Sequence, residues 1–252
     1  MSTPIFYAIG SVVIVSLMSL VGIFVLATNE RRLRMLISPM VALAVGALLG
    51  DAFIHLIPET FTHTKNAVQS SLLIIGGMLL FFILEKVLHL HHHGHDTHEE
   101  NSHKNKSLGH IILISDGLHN FIDGVIIAAS YLVSIEVGIA TTGAIILHEI
   151  PQEIGDFGVL IHAGYTKTQA ILVNFYSASF AVAGSAITLF ANRIASATEA
   201  WIVPLAIGVF IYTASSDLVP ELHKQTGIWN IIYEIIGISI GVGAMYALLF
   251  LE

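Results

Sequence analysis

Polar side chains interrupt two apolar stretches of this sequence at spacings that could hold a metal ion. The first stretch, residues 116 to 123, reads "DGLHNFID". Residues three, four and seven positions apart share one face of a helix, so its polar side chains would form a stripe about 10 Å long. The members of this stripe are Asp116, His119, Asn120 and Asp123. Imidazole, carboxylate and amide groups are ligand types that borderline divalent metals accept.

The second stretch, residues 148 to 156, reads "HEIPQEIGD". His148 and Gln152 share one helical face, and a neighbouring face carries only carboxylates. These carboxylates are Glu149, Glu153 and Asp156. Pro151 has no N–H to donate, which frees a backbone carbonyl one turn earlier. Such a break is tolerated inside a membrane where it lines a polar cavity.

The cost of burying these charges indicates that the two stripes face each other or water. Each ionised side chain at mid-bilayer costs about 2.5 to 3.5 kcal/mol, so five carboxylates would cost on the order of 15 kcal/mol. Carboxylates crowded in a low dielectric also repel each other. A divalent cation between the stripes removes both penalties, which interhelical hydrogen bonds alone would not. Because the chain has no cysteine, its ligands suit Zn²⁺, Fe²⁺, Mn²⁺, Co²⁺ or Cd²⁺ better than Cu⁺.

The chain that must position these stripes is predicted to be an all-α, multi-pass membrane protein. Of its 252 residues 55% are hydrophobic and 11% are charged, and its mean hydropathy is +0.81. Apolar stretches near the ~20 residues that cross a bilayer predict eight transmembrane helices, here called spans one to eight. They are expected at about 5–27, 35–58, 70–90, 108–133, 136–163, 168–191, 201–222 and 229–251. No basic patch indicates nucleic-acid binding.

The ten Lys and Arg residues predict the orientation. Alternating loops place eight of them on one side of the membrane and two, Lys65 and Arg193, on the other. Cytoplasmic loops are enriched in Lys and Arg, so both termini are expected outside the cytoplasm. The first apolar run has no preceding base and no cleavage pattern, so it is predicted to be a retained helix.

A histidine-rich segment, residues 89 to 107, is expected as a cytoplasmic loop between spans three and four. It holds seven of the 14 histidines of the chain. This composition is typical of metal-binding tracts, although an inert, solvated linker would be equally polar. We favour a metal-collecting loop, with these candidate ligands: His91, His92, His93, His95 and His98.

A short repeat relates the two ends of the chain. "HLIPE" at residues 55 to 59 in span two resembles "DLVPE" at residues 217 to 221 in span seven, and these spans would run in opposite directions. Such a relation predicts an inverted repeat of spans one to three and six to eight around spans four and five. This 3+2+3 arrangement is typical of transporters.

Together, "DGLHNFIDG" and "HEIPQEIGDF" resemble the ZIP (Zrt/Irt-like) family of divalent metal transporters, in the subfamily with a HExPHE signature. The resemblance extends along the whole chain, taken as one transmembrane domain over residues 1–252. It implies transport of Zn²⁺, Fe²⁺ or Mn²⁺ into the cytoplasm, with the metal as substrate and no cofactor, and with Cd²⁺ as an adventitious ligand. It also implies a site for two ions between spans four and five, and a homodimer. The protein would lie in a plasma or organelle membrane.

The resemblance also implies the ligands. They are His119, Asn120 and Asp123 from span four and His148, Glu149 and Gln152 from span five, with Glu153 and His55 as further candidates. Gln152 stands where the signature has its second histidine. Losing an imidazole weakens the preference for zinc against iron or manganese.

Three other functions are compatible with parts of the sequence. An intramembrane zinc protease would use HExxH on a helix, but this chain lacks the second histidine and has proline within the motif. A metal exporter could use the same site in the opposite direction. A metal sensor without transport is disfavoured, because a polar stripe through a membrane is costly.

Overall fold

The computed structural model describes residues 3–23, 30–63, 66–93, 101–194, 199–224 and 226–251. These residues form eight helical segments, α1 to α8, and no β-strand. Five segments change helix type or break within their length. The bounds are α1, Thr3–Met18 with a 3₁₀ turn Ser19–Val21; α2, Glu30–Gly50, Asp51–Leu56 and Ile57–His63; α3, Ala67–His93; α4, Asn101–Val133; α5, Ile135–His162; α6, Lys167–Ala178 and Phe180–Ile194; α7, Glu199–Tyr212, Thr213–Leu218 and Val219–His223; α8, Ile228–Leu248 with a 3₁₀ turn Leu249–Leu251.

Seven of these helical segments are long and apolar enough to cross a membrane, by length and composition alone. The eighth, α5, has 28 residues and so is about 42 Å long. Its four carboxylates set it apart from the other seven: Glu136, Glu149, Glu153 and Asp156. The all-helical, multi-pass membrane architecture predicted from composition is confirmed.

The predicted histidine-rich loop is shorter than expected. Helix α3 continues to His93 and α4 begins at Asn101, so residues 89–93 and 101–107 are helical. No proline occurs in these flanks, so the helices continue past the apolar residues. His95 and His98 lie outside the described residues, as do the side chains of His91, His92 and His93.

The two "PE" repeats have the same local backbone. Helix α2 passes through a π-helical turn at Asp51–Leu56, and α7 does so at Thr213–Leu218. The backbone N–H that follows each turn donates five residues back, from Ile57 to Ala52 and from Val219 to Ala214. Each turn precedes a proline by two residues, and the wider turn makes room for a ring that would clash with the preceding α-helical turn.

Close helix packing at glycines fixes three pairs of helices: α2 with α8, α3 with α7, and α4 with α6. A Cβ on Gly46 would lie 2.2 Å from Ile238 O, and one on Gly77 would lie 2.1 Å from Leu205 O. A Cβ on Gly124 would lie 1.9 Å from Ala181 O, so only glycine permits this approach of α4 to α6.

Hydrogen bonds between side chains and neighbouring helices divide the segments into two groups. We call α1, α4, α5 and α6 the site group, and α2, α3, α7 and α8 the frame group. Bonds within the site group include Ser11 Oγ with Tyr131 Oη at 2.8 Å and Ser16 Oγ to Ala178 O at 2.9 Å. Bonds within the frame group include Ser38 Oγ to Glu234 Oε1 at 3.0 Å and Tyr212 Oη to Glu85 Oε2 at 2.5 Å.

Candidate metal centre

The two predicted stripes meet because α4 and α5 are joined by a single residue. Ser134 has an extended backbone, and its side chain accepts a hydrogen bond from Val137 N at 3.1 Å, which caps the start of α5. His119 lies fourteen residues before Val133, the last residue of α4, and His148 lies thirteen residues after Ile135, the first of α5. The antiparallel helices therefore bring both histidines to the same level.

Four side chains form a compact group, here called the four-ligand cluster: His119, Asp123, His148 and Glu149. His148 Nε2 lies 3.1 Å from His119 Nε2, 3.2 Å from Asp123 Oδ2 and 3.4 Å from Glu149 Oε1. His119 Nε2 lies 3.5 Å from Glu149 Oε1 and 3.8 Å from Asp123 Oδ2. Ligands about 2.0 to 2.1 Å from a tetrahedral Zn²⁺ are separated by about 3.3 Å, so the cluster has the dimensions of a zinc site.

Buried oxygen atoms in this cluster make no hydrogen bond. Asp123 and Glu149 are each 1% exposed, and Asp123 Oδ2 and Glu149 Oε1 are without a hydrogen-bond partner. A buried carboxylate oxygen left in this way is costly unless a cation or donor compensates it. These are the same atoms that face the two imidazoles, so a cation held there would compensate both.

A second group, here called the carboxylate cluster, consists of Asp116, Glu149 and Glu153. One oxygen of each lies within 4.8 Å of the others, and all three side chains are buried. Glu149 belongs to both clusters, so its carboxylate lies between two candidate ion positions. The second position has only oxygen ligands, a set that suits harder cations than an imidazole pair does.

Two residues of α6 that the sequence analysis missed support the carboxylate cluster. Asn174 Nδ2 donates to Glu153 Oε2 over 2.7 Å, and Ser177 Oγ donates to Asp116 Oδ2. Their signal in the sequence is weak, since it amounts to two polar residues three positions apart in "ILVNFYSA". That spacing does place them on one helical face.

The remaining predicted ligands are two amides, Asn120 and Gln152, and one imidazole, His55. Asn120 Nδ2 donates to Asp116 Oδ1 over 2.9 Å, so Asn120 acts on the carboxylate cluster from its own helix. Gln152 is partly exposed and lies one helical turn after His148 on α5. His55 contacts α8, where its Nε2 lies 2.9 Å from Met245 O, and it joins neither cluster.

The family to which the chain belongs follows from comparison with known proteins. The family model described as "ZIP Zinc transporter" matches residues 2–110 and 91–249. The chain belongs to the ZIP family. The resemblance predicted from the two motifs is thereby confirmed, and the family is one of transporters, which disfavours the protease alternative.

Named relatives of this ZIP chain are similar along most of its length. It is 32% identical over 220 residues to zinc transporter ZIP13 of Pongo abelii, covering 82% of this chain and 65% of the relative. It is 32% identical over 286 residues to metal cation symporter ZIP14 of Xenopus tropicalis, covering 86% and 62%. It is 31% identical over 277 residues to zinc transporter ZIP13 of Gallus gallus, covering 87% of this chain and 75% of the relative. The chain thus spans roughly three fifths to three quarters of these relatives.

A cavity of about 500 Å³ connects the candidate metal centre of this ZIP chain to one end of the bundle. Asp116 and His119 line its inner part, and Glu221 lines it near the end where α3 stops and α4 begins. Among the residues that the structure describes, the lining includes five carboxylates and neither Lys nor Arg. The acids are Glu85, Asp116, Asp156, Asp217 and Glu221. A cleft with one sign of charge and apolar walls concentrates counter-ions, here cations.

Proposed function

We propose that this ZIP chain carries divalent transition-metal ions across a membrane into the cytoplasm, through the four-ligand cluster. The observation that carries the proposal is the set of four buried ligand atoms at tetrahedral spacing, which open into an acid-lined cavity. Zn²⁺ is the first candidate substrate, because two imidazoles and two carboxylates suit it. Fe²⁺ and Mn²⁺ are further candidates, and Cd²⁺ would bind as a substitute.

The carboxylate cluster would hold a second ion. Its ligands would be oxygens of Asp116, Glu149 and Glu153, and Asn120 and Gln152 would contribute amides beside them. With Gln152 in place of an imidazole, this position favours Fe²⁺ or Mn²⁺ more than a histidine-containing position would. The shared Glu149 would couple the two ions, since each partly neutralises the same carboxylate.

Eight membrane spans in a 3+2+3 inverted repeat fit this function, with α5 as the eighth span. Its carboxylates would face the centre and the cavity rather than lipid. The repeat pairs α1 with α6, α2 with α7, α3 with α8, and α4 with α5. Under this pairing, the contact of α2 with α8 corresponds to the contact of α7 with α3. The contact of α4 with α6 corresponds to that of α5 with α1. All four contacts occur. The matching π-helical turns at Asp51–Leu56 and Thr213–Leu218 support the same repeat.

The distribution of the basic residues supports an orientation with both termini outside the cytoplasm and the cavity on the cytoplasmic side. Metal leaving through the cavity would then reach the histidine-rich segment, residues 89 to 107, which we propose collects the metal. Alternating access would require the site group to move against the frame group. A homodimer is expected from family membership, as is location in a plasma or organelle membrane.

Metal uptake into proteoliposomes of known orientation tests this function. Zn²⁺, Fe²⁺, Mn²⁺ and Cd²⁺ would be compared for the native chain, Asp123→Ala and Glu149→Ala. We expect saturable uptake that both substitutions abolish. Glu136→Ala is the matched control, since it removes a carboxylate of α5 in the first turn, away from both clusters. Uptake of no ion, or uptake indifferent to Asp123→Ala and Glu149→Ala, would contradict the proposal.

A further inference from the structure

Helix α6 contributes two buried polar side chains to the carboxylate cluster but no carboxylate. Asn174 is 1% exposed and Ser177 is 2% exposed. Burying an amide or a hydroxyl in an apolar environment is unfavourable unless it finds a hydrogen-bond partner. Each of these side chains finds a carboxylate of the cluster, so both polar residues of α6 serve the same site.

Asn174 holds Glu153 at two points. Its Nδ2 donates to Glu153 Oε2 over 2.7 Å and to Glu153 O over 3.4 Å. Oε1 of the same carboxylate is buried and has no hydrogen-bond partner. One amide therefore ties the side chain of Glu153 to its backbone and determines which oxygen is left to bind an ion.

Asp116 and Glu153 differ in how strongly they are held. Asp116 accepts from Ser177 Oγ on one oxygen and from Asn120 Nδ2 on the other. Within the described part of the chain, Asn174 is the single donor to the Glu153 carboxylate. The orientation of Glu153 therefore depends on Asn174 alone, whereas Asp116 would keep one donor if either of its partners were lost.

We propose that Asn174 is a positioning residue, which orients Glu153 so that Oε1 binds the second metal ion. The proposal rests on the proposed function and deepens it, because it names the residue that determines the affinity of the carboxylate cluster. A neutral amide suits this task. Leucine at this position would leave Glu153 Oε2 without its donor, and aspartate would add a repelling charge.

Isothermal titration of the purified full-length chain with Zn²⁺ tests the role of Asn174. The native chain is expected to bind two ions in steps of different affinity. Asn174→Leu, which has nearly the same size, should weaken the weaker step by about 10- to 100-fold, as loss of an outer-shell partner does, and leave the stronger step unchanged. Asn174→Gln keeps a donor and should restore most of the affinity. Thr188→Val is the control, because this buried hydroxyl of α6 bonds only to Gly184 O of its own helix.

The Glu153→Ala variant shows whether Asn174 orients Glu153 or only contributes to helix packing. Glu153→Ala should leave one binding step, and adding Asn174→Leu to it should not change that step, because Asn174 would have nothing to orient. A loss of the remaining step on adding Asn174→Leu would show a general structural role and overturn the proposal. Two unchanged steps in Asn174→Leu alone would overturn it as well. Absence of any Zn²⁺ binding by the native chain would instead contradict the proposed function on which it rests.

Discussion

Thr141 of α5 donates a hydrogen bond to Asp51 of α2 over 2.9 Å. This hydrogen bond joins the site group to the frame group. Asp51 is fully buried, and its other oxygen makes no hydrogen bond. A hydrogen bond within a protein contributes about 0.5 to 1.5 kcal/mol net, so this bond favours the arrangement in which the cavity is open.

Thr141→Val should therefore shift the protein away from the open-cavity state by roughly tenfold, because valine keeps the shape and removes the donor. The chain has no cysteine, so a single Ser115→Cys in the cavity lining can report accessibility by its labelling rate. We expect slower labelling with Thr141→Val. Thr142→Val is the control, since this neighbouring hydroxyl bonds to Gly138 O within α5 at 2.7 Å. Equal labelling rates for both variants would show that the Thr141–Asp51 hydrogen bond does not favour the open-cavity state.

Gln152→His should change the metal preference. Gln152 lines the cavity together with Asp116, so a histidine there would add an imidazole beside the carboxylate cluster. Nitrogen ligands favour Zn²⁺ over Mn²⁺, so the ratio of Zn²⁺ to Mn²⁺ uptake should rise about tenfold when the two ions compete. The control His162→Gln makes the opposite substitution in the last turn of α5, away from the centre. It should leave the ratio of Zn²⁺ to Mn²⁺ uptake unchanged. An unchanged ratio in Gln152→His would place residue 152 outside the ion path.

Asp217→Asn should reduce the uptake rate at low metal concentration by about two- to fivefold, because one fewer negative charge lowers the cation concentration in the cavity. High ionic strength should shrink the difference between the native chain and the variant. Initial uptake rates at two salt concentrations measure both effects. Glu136→Gln also removes one negative charge, but Glu136 does not line the cavity, so this variant should show neither effect. A salt-independent loss in Asp217→Asn would point to a structural role instead.

Gly124→Ala should destabilise the contact that holds α4 against α6. The added Cβ would lie 1.9 Å from Ala181 O, so the helices must separate. We expect a loss of about 1 to 3 kcal/mol, measured as a lower midpoint of thermal unfolding in detergent. Gly10→Ala has no atom within 4 Å of its Cβ and should be neutral or slightly stabilising. A midpoint for Gly124→Ala equal to that of Gly10→Ala would mean that α4 and α6 pack more loosely than described.

Much of the centre could be predicted from the sequence because helical periodicity is local. The spacing of His119 and Asp123, and the position of His148 beside Glu149, place these groups on the inner faces of two helices. The cost of charges in lipid then requires those faces to meet. Membrane class, helical architecture and the ZIP family follow from composition and from the same two motifs.

Tertiary packing decided which of these residues come together. His55 lies against Met245 rather than in the centre, and Asn120 donates a hydrogen bond to the Asp116 carboxylate of its own helix. The rotation and axial register of α4, α5 and α6 depend on contacts between distant residues, such as Gly124 with Ala181, and helical spacing carries no information about them. The sequence by itself therefore determined the ligand types and the faces that carry them. Only the tertiary structure decided how they divide into two clusters and that α6, through Asn174, completes one of them.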